Sequence, residues 1–293
     1  MTNSSGFINN LEKSIQESNR KFSIEEVMSF LRPIGLHEFS QLLFSLPRSD
    51  LPALSQILPS MAAKDVQIDW TGNFGDALLN QTLDFYLSVK NNLNKLGVSQ
   101  DFSEWKILDF GCGYGRFARI FTHEVQFHNY FGVDPWEDAI EICHGNNLGD
   151  NFSVSEYLPV QLPFEDNSFD LIFAFSVFTH LSFNATQIAL NTLFKYLKDD
   201  GFLVITIRPQ EYWSVDKLSK DQNISSDLID KHSRFGFAFN PHNRESHNGE
   251  ITYGDTSMSI EFIESNFPQY KVLGIDTAIS DKFQIYVFLG KNK

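Results

Sequence analysis

The sequence predicts an α/β protein, a mostly parallel sheet with crossover helices behind a helical N-terminal extension. Three observations carry this. From Lys106 onward, short apolar runs alternate with helical stretches, the pattern of repeated strand–helix–strand units. The first run, KILDF at 106–110, leads into three alternate glycines, Gly111, Gly113 and Gly115, a tight strand-to-helix turn. Upstream, residues 23–96 carry helical spacings broken by prolines.

Taken in order, the first 20 residues are polar and read as loose. Ser23-Ile24-Glu25-Glu26 has the Ser-x-x-Glu form of a capping box and opens a short helix. Pro33, Pro47, Pro52 and Pro59 divide 23–61 into short helical pieces. Asp76 precedes a longer amphipathic helix, with Leu79, Leu83, Tyr86, Val89, Leu93 and Leu96 at spacings of three and four, and Gly97 ends it. Strands follow at 106–110, 130–134, 151–155, 169–176 and 202–208, with helices near 115–124, 135–144 and 184–198. The last helix has Leu190, Leu193, Phe194 and Leu197 on one face and ends at Gly201. After Arg208 the alternation lapses, to resume with a helix at 259–267 and strands at 271–277 and 283–289, seven strands in all. The expected organisation is a helical extension or cap over 1–70 and one domain over 71–293, with an insertion at about 209–258.

Composition narrows the function. A chain of 293 residues with 42% hydrophobic and 20% charged residues has an ordinary globular core, rich in phenylalanine at 29. The net charge of −14 disfavours nucleic acid, which binds through clustered Lys and Arg. No apolar run approaches the roughly 20 residues that span a bilayer, and the N-terminus lacks the basic and apolar regions of a signal peptide. Only Cys112 and Cys143 are present, so a disulfide framework and a CxxC zinc site are excluded. The expectation is a cytoplasmic protein with neither membrane nor nucleic-acid partner.

The glycine loop is G-x-G-x-G. A nicotinamide or flavin fingerprint wants its third glycine at 116, where Arg116 stands. A phosphate-binding P-loop is excluded because no Gly-Lys-Ser/Thr follows. Phe131-Gly132-Val133-Asp134 ends the next strand, with Asp134 placed 19 residues beyond Gly115. A carboxylate there can accept both hydroxyls of a ribose. Asp134-Pro135-Trp136-Glu137 also reads as a helix start, with Asp134 as N-cap and Pro135 at the first helical position. The loop with the acid points to nucleoside binding.

Here the chain resembles the class I S-adenosylmethionine-dependent methyltransferases. The matching residues are Asp109-Phe110-Gly111-Cys112-Gly113-Tyr114-Gly115, Asp134, LPFEDNSFDLIFAFSVFTHLS at 162–182 and LKDDGFLVITI at 197–207. The stretch from Asp166 to Leu181, Arg116 and Arg119 in GRFAR, and Trp70-Thr71-Gly72 look like the small-molecule and polysaccharide-modifying branch. The resemblance covers about residues 70–208. It implies a Rossmann-like seven-stranded sheet with helices on both faces and a closing antiparallel hairpin. It also implies S-adenosylmethionine as cofactor, with Asp109 and Gly111 at the methionine moiety and Cys112, Gly113 and Gly115 in the loop. Asp134 would hold the ribose, Pro135 or Trp136 would flank the adenine, and Glu156 and Tyr157 would face its edge. Ser176, after the fourth strand, completes that set. The chain departs from the common pattern at Leu158, where an Asp ordinarily stands four residues before Leu162.

Methyl transfer from a sulfonium mainly requires alignment, with a base only where the acceptor's proton leaves as the bond forms. His180 is the candidate base, or a structural histidine at a helix entry. Arg116 looks like an acceptor residue; Arg208, Tyr212 and Trp213 either line the acceptor pocket or pack the insertion. Segment 234–256 reads as a lid or acceptor loop, or as a solvated surface loop. His232, His242 and His247 are too irregularly spaced for a metal site. The N-terminal helices would wall the acceptor pocket or make a homodimer contact. Ser176-Val177-Phe178-Thr179 replaces the Asp/Asn-Pro-Pro-Tyr of amino-directed nucleic-acid enzymes, and no Pro-Cys nucleophile occurs. The reading is methyl transfer to oxygen or nitrogen of a small metabolite or sugar unit. The rivals are a non-catalytic cofactor-binding scaffold and, less favoured, a nicotinamide-dependent oxidoreductase.

Overall fold

The computed structural model describes residues 4–98, 101–215, 222–244, 246–247 and 249–292. The chain packs as two compact units, Met1–Lys106 with Cys112–Val154, and Ile107–Gly111 with Ser155–Lys293.

The first unit begins with α1 (Ser4–Gln16), where a loose segment was expected. Ile8, Leu11 and Ile15 give it an apolar edge at helical spacing. Its buried Glu12 accepts the backbone N–H groups of Ala53 and Leu54, both at 2.8 Å. These belong to the first turn of α4 (Pro52–Ile57), which has no intrahelical acceptors for them. Between the two lie α2 (Ile24–Leu31) and α3 (Leu36–Ser45). The Ser23 capping box is present, with Ser23 Oγ accepting the Glu26 amide and Glu26 accepting that of Ser23. Next come α5 (Lys64–Thr71) and the 21-residue α6 (Gly75–Lys95), which buries Leu79, Leu83, Tyr86, Val89 and Leu93.

After β1 (Ile107–Phe110) and the glycine loop, the helix expected at 115–124 contracts to α7 (Ala118–Phe121). There follow β2 (Tyr130–Asp134), α8 (Glu137–Gly145) and β3 (Phe152–Val154). The N-terminal helices are bonded to these elements. Ser60 donates its amide to Asn146 at 3.1 Å, Asn147 donates to the carbonyls of Gln56 and Leu58, and Arg32 donates to those of Thr122 and Val125.

The second unit holds β1, β4 (Phe169–Ala174), α9 (Phe183–Tyr196) and β5 (Leu197–Ile207). β4 stops before the expected residue 176 because Ser176 turns into the left-handed region at φ 59°. β5 starts at Leu197 instead of 202, directly after the helix, with Leu197 in register with Phe169. The insertion, expected as irregular chain, forms α10 (Gln222–Phe235) and an antiparallel ribbon of β6 (Phe237–Pro241) and β7 (Gly254–Met258). Then come α11 (Ile260–Asn266), β8 (Tyr270–Thr277) and β9 (Ile285–Lys291).

The main sheet has seven strands in the order β3-β2-β1-β4-β5-β9-β8. The β2/β3, β1/β4 and β4/β5 pairs are parallel. β9 lies between β5 and β8 and runs antiparallel to both. Among the described residues, no helix is long and apolar enough to cross a membrane.

Candidate functional site

The candidate residues fall into two groups, one in each unit. In the first unit, Asp134 is only 9% exposed, at the end of β2. Its Oδ2 accepts the Gly113 amide at 2.8 Å and its Oδ1 the Trp136 amide at 3.0 Å. Burial raises its pKa above the ordinary carboxylate value, and the two amide hydrogen bonds counter that. The expected N-cap is displaced: α8 begins at Glu137 with Trp136 as its cap residue, so Asp134 and Pro135 precede the helix. Asp134 bonds the amide two residues on, an Asx turn, and ties the glycine loop to the end of the neighbouring strand.

All three glycines of the loop have positive φ: Gly111 75°, Gly113 52° and Gly115 70°. At Gly115 a Cβ would also collide with Leu148 and Phe152, so glycine is required on two counts. Around Gly113 stand aromatic rings: Trp70 lies edge-on to Trp136 at 5.3 Å and tilted to Tyr114 at 6.0 Å. The Gly113 carbonyl accepts the thiols of Cys112 and Cys143. A Cβ on Gly113 would meet only Trp70, at 3.8 Å, so the backbone is open to close approach by a ligand.

Two arginines of GRFAR are buried. Arg119 is 0% exposed, and its guanidinium donates to the carbonyls of Gly115 (2.7 Å), Tyr114 (3.3 Å) and Ser60. Burial lowers its pKa to about 10. It fastens the glycine loop to the N-terminal segment. Arg116, expected at the acceptor, donates to Gln81 of α6 at 2.6 Å and lies over the Phe117 ring.

In the second unit, Asp109 is buried on β1, in register with Phe173. A Cβ on Gly111 would run into Val177, just after β4. Ser176 donates its amide to Thr206 Oγ1 at 2.6 Å and its hydroxyl lies 3.3 Å from that of Thr179. Glu156 is exposed, and Tyr157, 39% exposed, stacks on His247 at 3.9 Å and 15°.

His180 is clamped by three consecutive residues of the insertion. Its ring stacks on Tyr253 at 5.0 Å and 6°, its Nδ1 donates to the Gly254 carbonyl at 2.7 Å, and Asp255 lies 3.7 Å away. That bond fixes the tautomer with the lone pair on Nε2. Burial first, then the Arg208 charge, push its pKa down to about 4, so the ring is neutral at pH 7.

Asp255, 2% exposed, gathers the remaining groups. Oδ1 accepts Arg208 Nη1 at 2.5 Å and the Tyr212 hydroxyl at 3.1 Å; Oδ2 accepts His242 Nε2 at 2.7 Å. Burial acts to raise its pKa, but the His242 hydrogen bond and the Arg208 charge outweigh it and hold the carboxyl below its ordinary value. The Arg208 guanidinium lies 4.1 Å over the Tyr212 ring. Trp213 lies edge-on to Tyr212 at 5.3 Å, is 1% exposed and donates its indole N–H to Ser257 at 2.6 Å. It packs the insertion, because no face of it is left for an acceptor. Among the described residues no group of three His, Cys, Asp or Glu is placed to hold a metal ion.

The second unit thus brings His180, Arg208 and Tyr212 together. Sequence reasoning missed Asp255 and Tyr253, and considered His242 only as a metal ligand. No periodicity marks them; they meet His180 through the backbone pairing of 252–256 with 179–182, where the Gly254 amide bonds the His180 carbonyl and the Thr256 amide that of Thr179.

Strand order and loop together define an α/β protein with a glycine turn after β1 and an antiparallel last strand. Residues 108–205 match the family model described as a methyltransferase domain. A phosphoethanolamine N-methyltransferase of Plasmodium falciparum is 28% identical over 104 residues, 34% of this chain and 38% of that protein. An uncharacterized protein of Haemophilus influenzae is 31% identical over 112 residues, 37% of this chain and 43% of its own. The chain therefore spans less than half the length of these two relatives. The solved structure of the PH0226 protein from Pyrococcus horikoshii is similar over 71% of this chain and 91% of that one, at 16% identity and a TM-score of 0.46.

Proposed function

We propose that the protein is a methyltransferase using S-adenosylmethionine, and that it transfers the methyl group to oxygen or nitrogen of a small metabolite or sugar unit. The observation that carries this is the Asp134 carboxylate bonded to the Gly113 amide, beside a loop of three left-handed glycines. The open backbone at Gly113 suits the amino-acid portion of the cofactor, and the carboxylate suits its ribose hydroxyls. Trp136 and Trp70 offer faces to an adenine. When bound, the cofactor supplies an electrophilic methyl group on a sulfonium; the protein's task is alignment and exclusion of water.

His180, Arg208, Tyr212 and Tyr253 form the acceptor side. A neutral His180 offers Nε2 as a hydrogen-bond acceptor that orients the acceptor's hydroxyl or amine. The matched methyltransferase-domain model supports the reaction class, and the net charge of −14 supports a small acceptor over nucleic acid.

The test is titration calorimetry with S-adenosylhomocysteine and with a nicotinamide dinucleotide. The expected result is saturable binding of the first alone; binding of the dinucleotide alone overturns the reading. Release of S-adenosylhomocysteine during turnover with hydroxylated or amino acceptors separates an enzyme from a binding scaffold.

A further inference from the structure

We infer that His242, oriented by Asp255, accepts the proton that the acceptor atom releases. The reaction in which it serves rests on the methyltransferase reading; the geometry lies wholly in the second unit.

His242 donates from Nε2 to Asp255 Oδ2 at 2.7 Å. The other carboxylate oxygen is fixed by Arg208 and Tyr212, so the carboxylate cannot turn away from the imidazole. A histidine whose Nε2–H is held by a carboxylate carries its lone pair on Nδ1. This is the orienting logic of an imidazole backed by a buried acid, which selects one tautomer and stabilises the imidazolium once it forms. Among the described residues Nδ1 of His242 has no hydrogen-bond partner, and the side chain is 24% exposed, so a ligand can reach it.

His180 is the weaker candidate for this step. Its Nδ1–H is committed to Gly254, and burial beside Arg208 disfavours its protonation. A base that resists the proton gives little driving force. The two imidazoles lie 6.5 Å apart, both against Tyr253, which makes His180 a wall of the site and His242 its proton acceptor. In the step, the acceptor's O–H or N–H bond breaks and its proton moves to Nδ1. The acceptor's electron pair forms the bond to the methyl carbon, and the pair of the breaking carbon–sulfur bond stays on sulfur. The imidazolium, paired with Asp255, later gives its proton to water. Asp255 is a positioning residue.

Two measurements on the full chain test this. Long-range proton–nitrogen NMR of the histidines reads the tautomer directly, and carbethoxylation by diethyl pyrocarbonate with peptide mapping reads nucleophilicity. The expected results are a single Nε2–H tautomer at His242 and acylation about tenfold faster than at the exposed His128. Asp255→Asn brings the rate at His242 down to that of His128 and admits the second tautomer. An Nδ1–H tautomer in the wild type overturns the proposal whether or not the variant folds, and so does a rate at His242 unchanged by Asp255→Asn. S-adenosylhomocysteine binding is read in parallel. Its absence removes the methyltransferase reading, while the tautomer and the acylation rate still judge the His242–Asp255 pair.

Discussion

At Asp134 one carboxylate oxygen receives the amide of the glycine loop and the other the amide that leads into α8. A ribose would compete for lone pairs on both, and a carboxylate has enough for each. Asp134→Ala is therefore expected to weaken S-adenosylhomocysteine by about tenfold to a hundredfold, the value of one or two charged hydrogen bonds, with the far-ultraviolet spectrum retained. An unchanged affinity would reduce Asp134 to a turn residue. His180 leads to a stability prediction. Its folded pKa of about 4 lies below the ordinary 6.5, so the unfolded chain takes a proton that the native state refuses. Stability must then fall as pH drops from about 6.5 to about 4. Asp255 adds a loss below its ordinary value of 3.8, as its depressed folded pKa is crossed. His180→Gln should flatten the first of these slopes in urea unfolding at stepped pH; an unaltered slope there would refute the assignment. Asp134 was legible because strand, loop and acid follow one another at fixed spacing. The His180 clamp was not, because Gly254 is 74 positions away and nothing local announces the pairing.

The β6/β7 ribbon holds His180 within the second unit, as the Asp134 turn holds the glycine loop within the first. β7 reads Gly-Asp-Thr-Ser-Met, every residue buried and three of them polar. Each polar group is satisfied: Asp255 by three donors, Thr256 by the Leu181 carbonyl, Ser257 by the Trp213 indole. Alternation of apolar and polar residues is the signal by which a strand is recognised, and it is absent where buried polar groups face one another. The same reasoning explains why β5 was placed late, since Leu197 looks like the last turn of a helix until its register with Phe169 is known. At Gly254 a Cβ would strike the Asn240 carbonyl of β6. Gly254→Val should open the ribbon and release His180, read as lost amide-exchange protection over 237–241 while β4 and β5 stay protected. Retained protection would show that the ribbon tolerates the side chain.

Across the whole molecule, the alternation of short apolar runs with helices identified the parallel strands, whereas the closing antiparallel hairpin came only through the family resemblance, and the place of its last strand between β5 and β8 came only with the structure. Periodicity reports which face a strand buries and not its neighbours. Binding energy for a ligand that recognises only the native state adds to stability, so S-adenosylhomocysteine at a hundred times its dissociation constant should raise the thermal midpoint by several degrees. A nicotinamide dinucleotide should leave it unmoved.

The cation buried at Arg119 carries a consequence for where this chain can be cut. Its guanidinium is shared between the carbonyls of the glycine loop and that of Ser60, an acceptor lying outside the segment that resembles known methyltransferases. A shortened chain starting at residue 70 would keep every recognisable motif and leave that buried charge without one of its acceptors. Such a fragment is expected to be insoluble, while one beginning at the capping box of Ser23 should stay in solution. On that expectation, the smallest autonomous piece of this protein is larger than its recognisable signature.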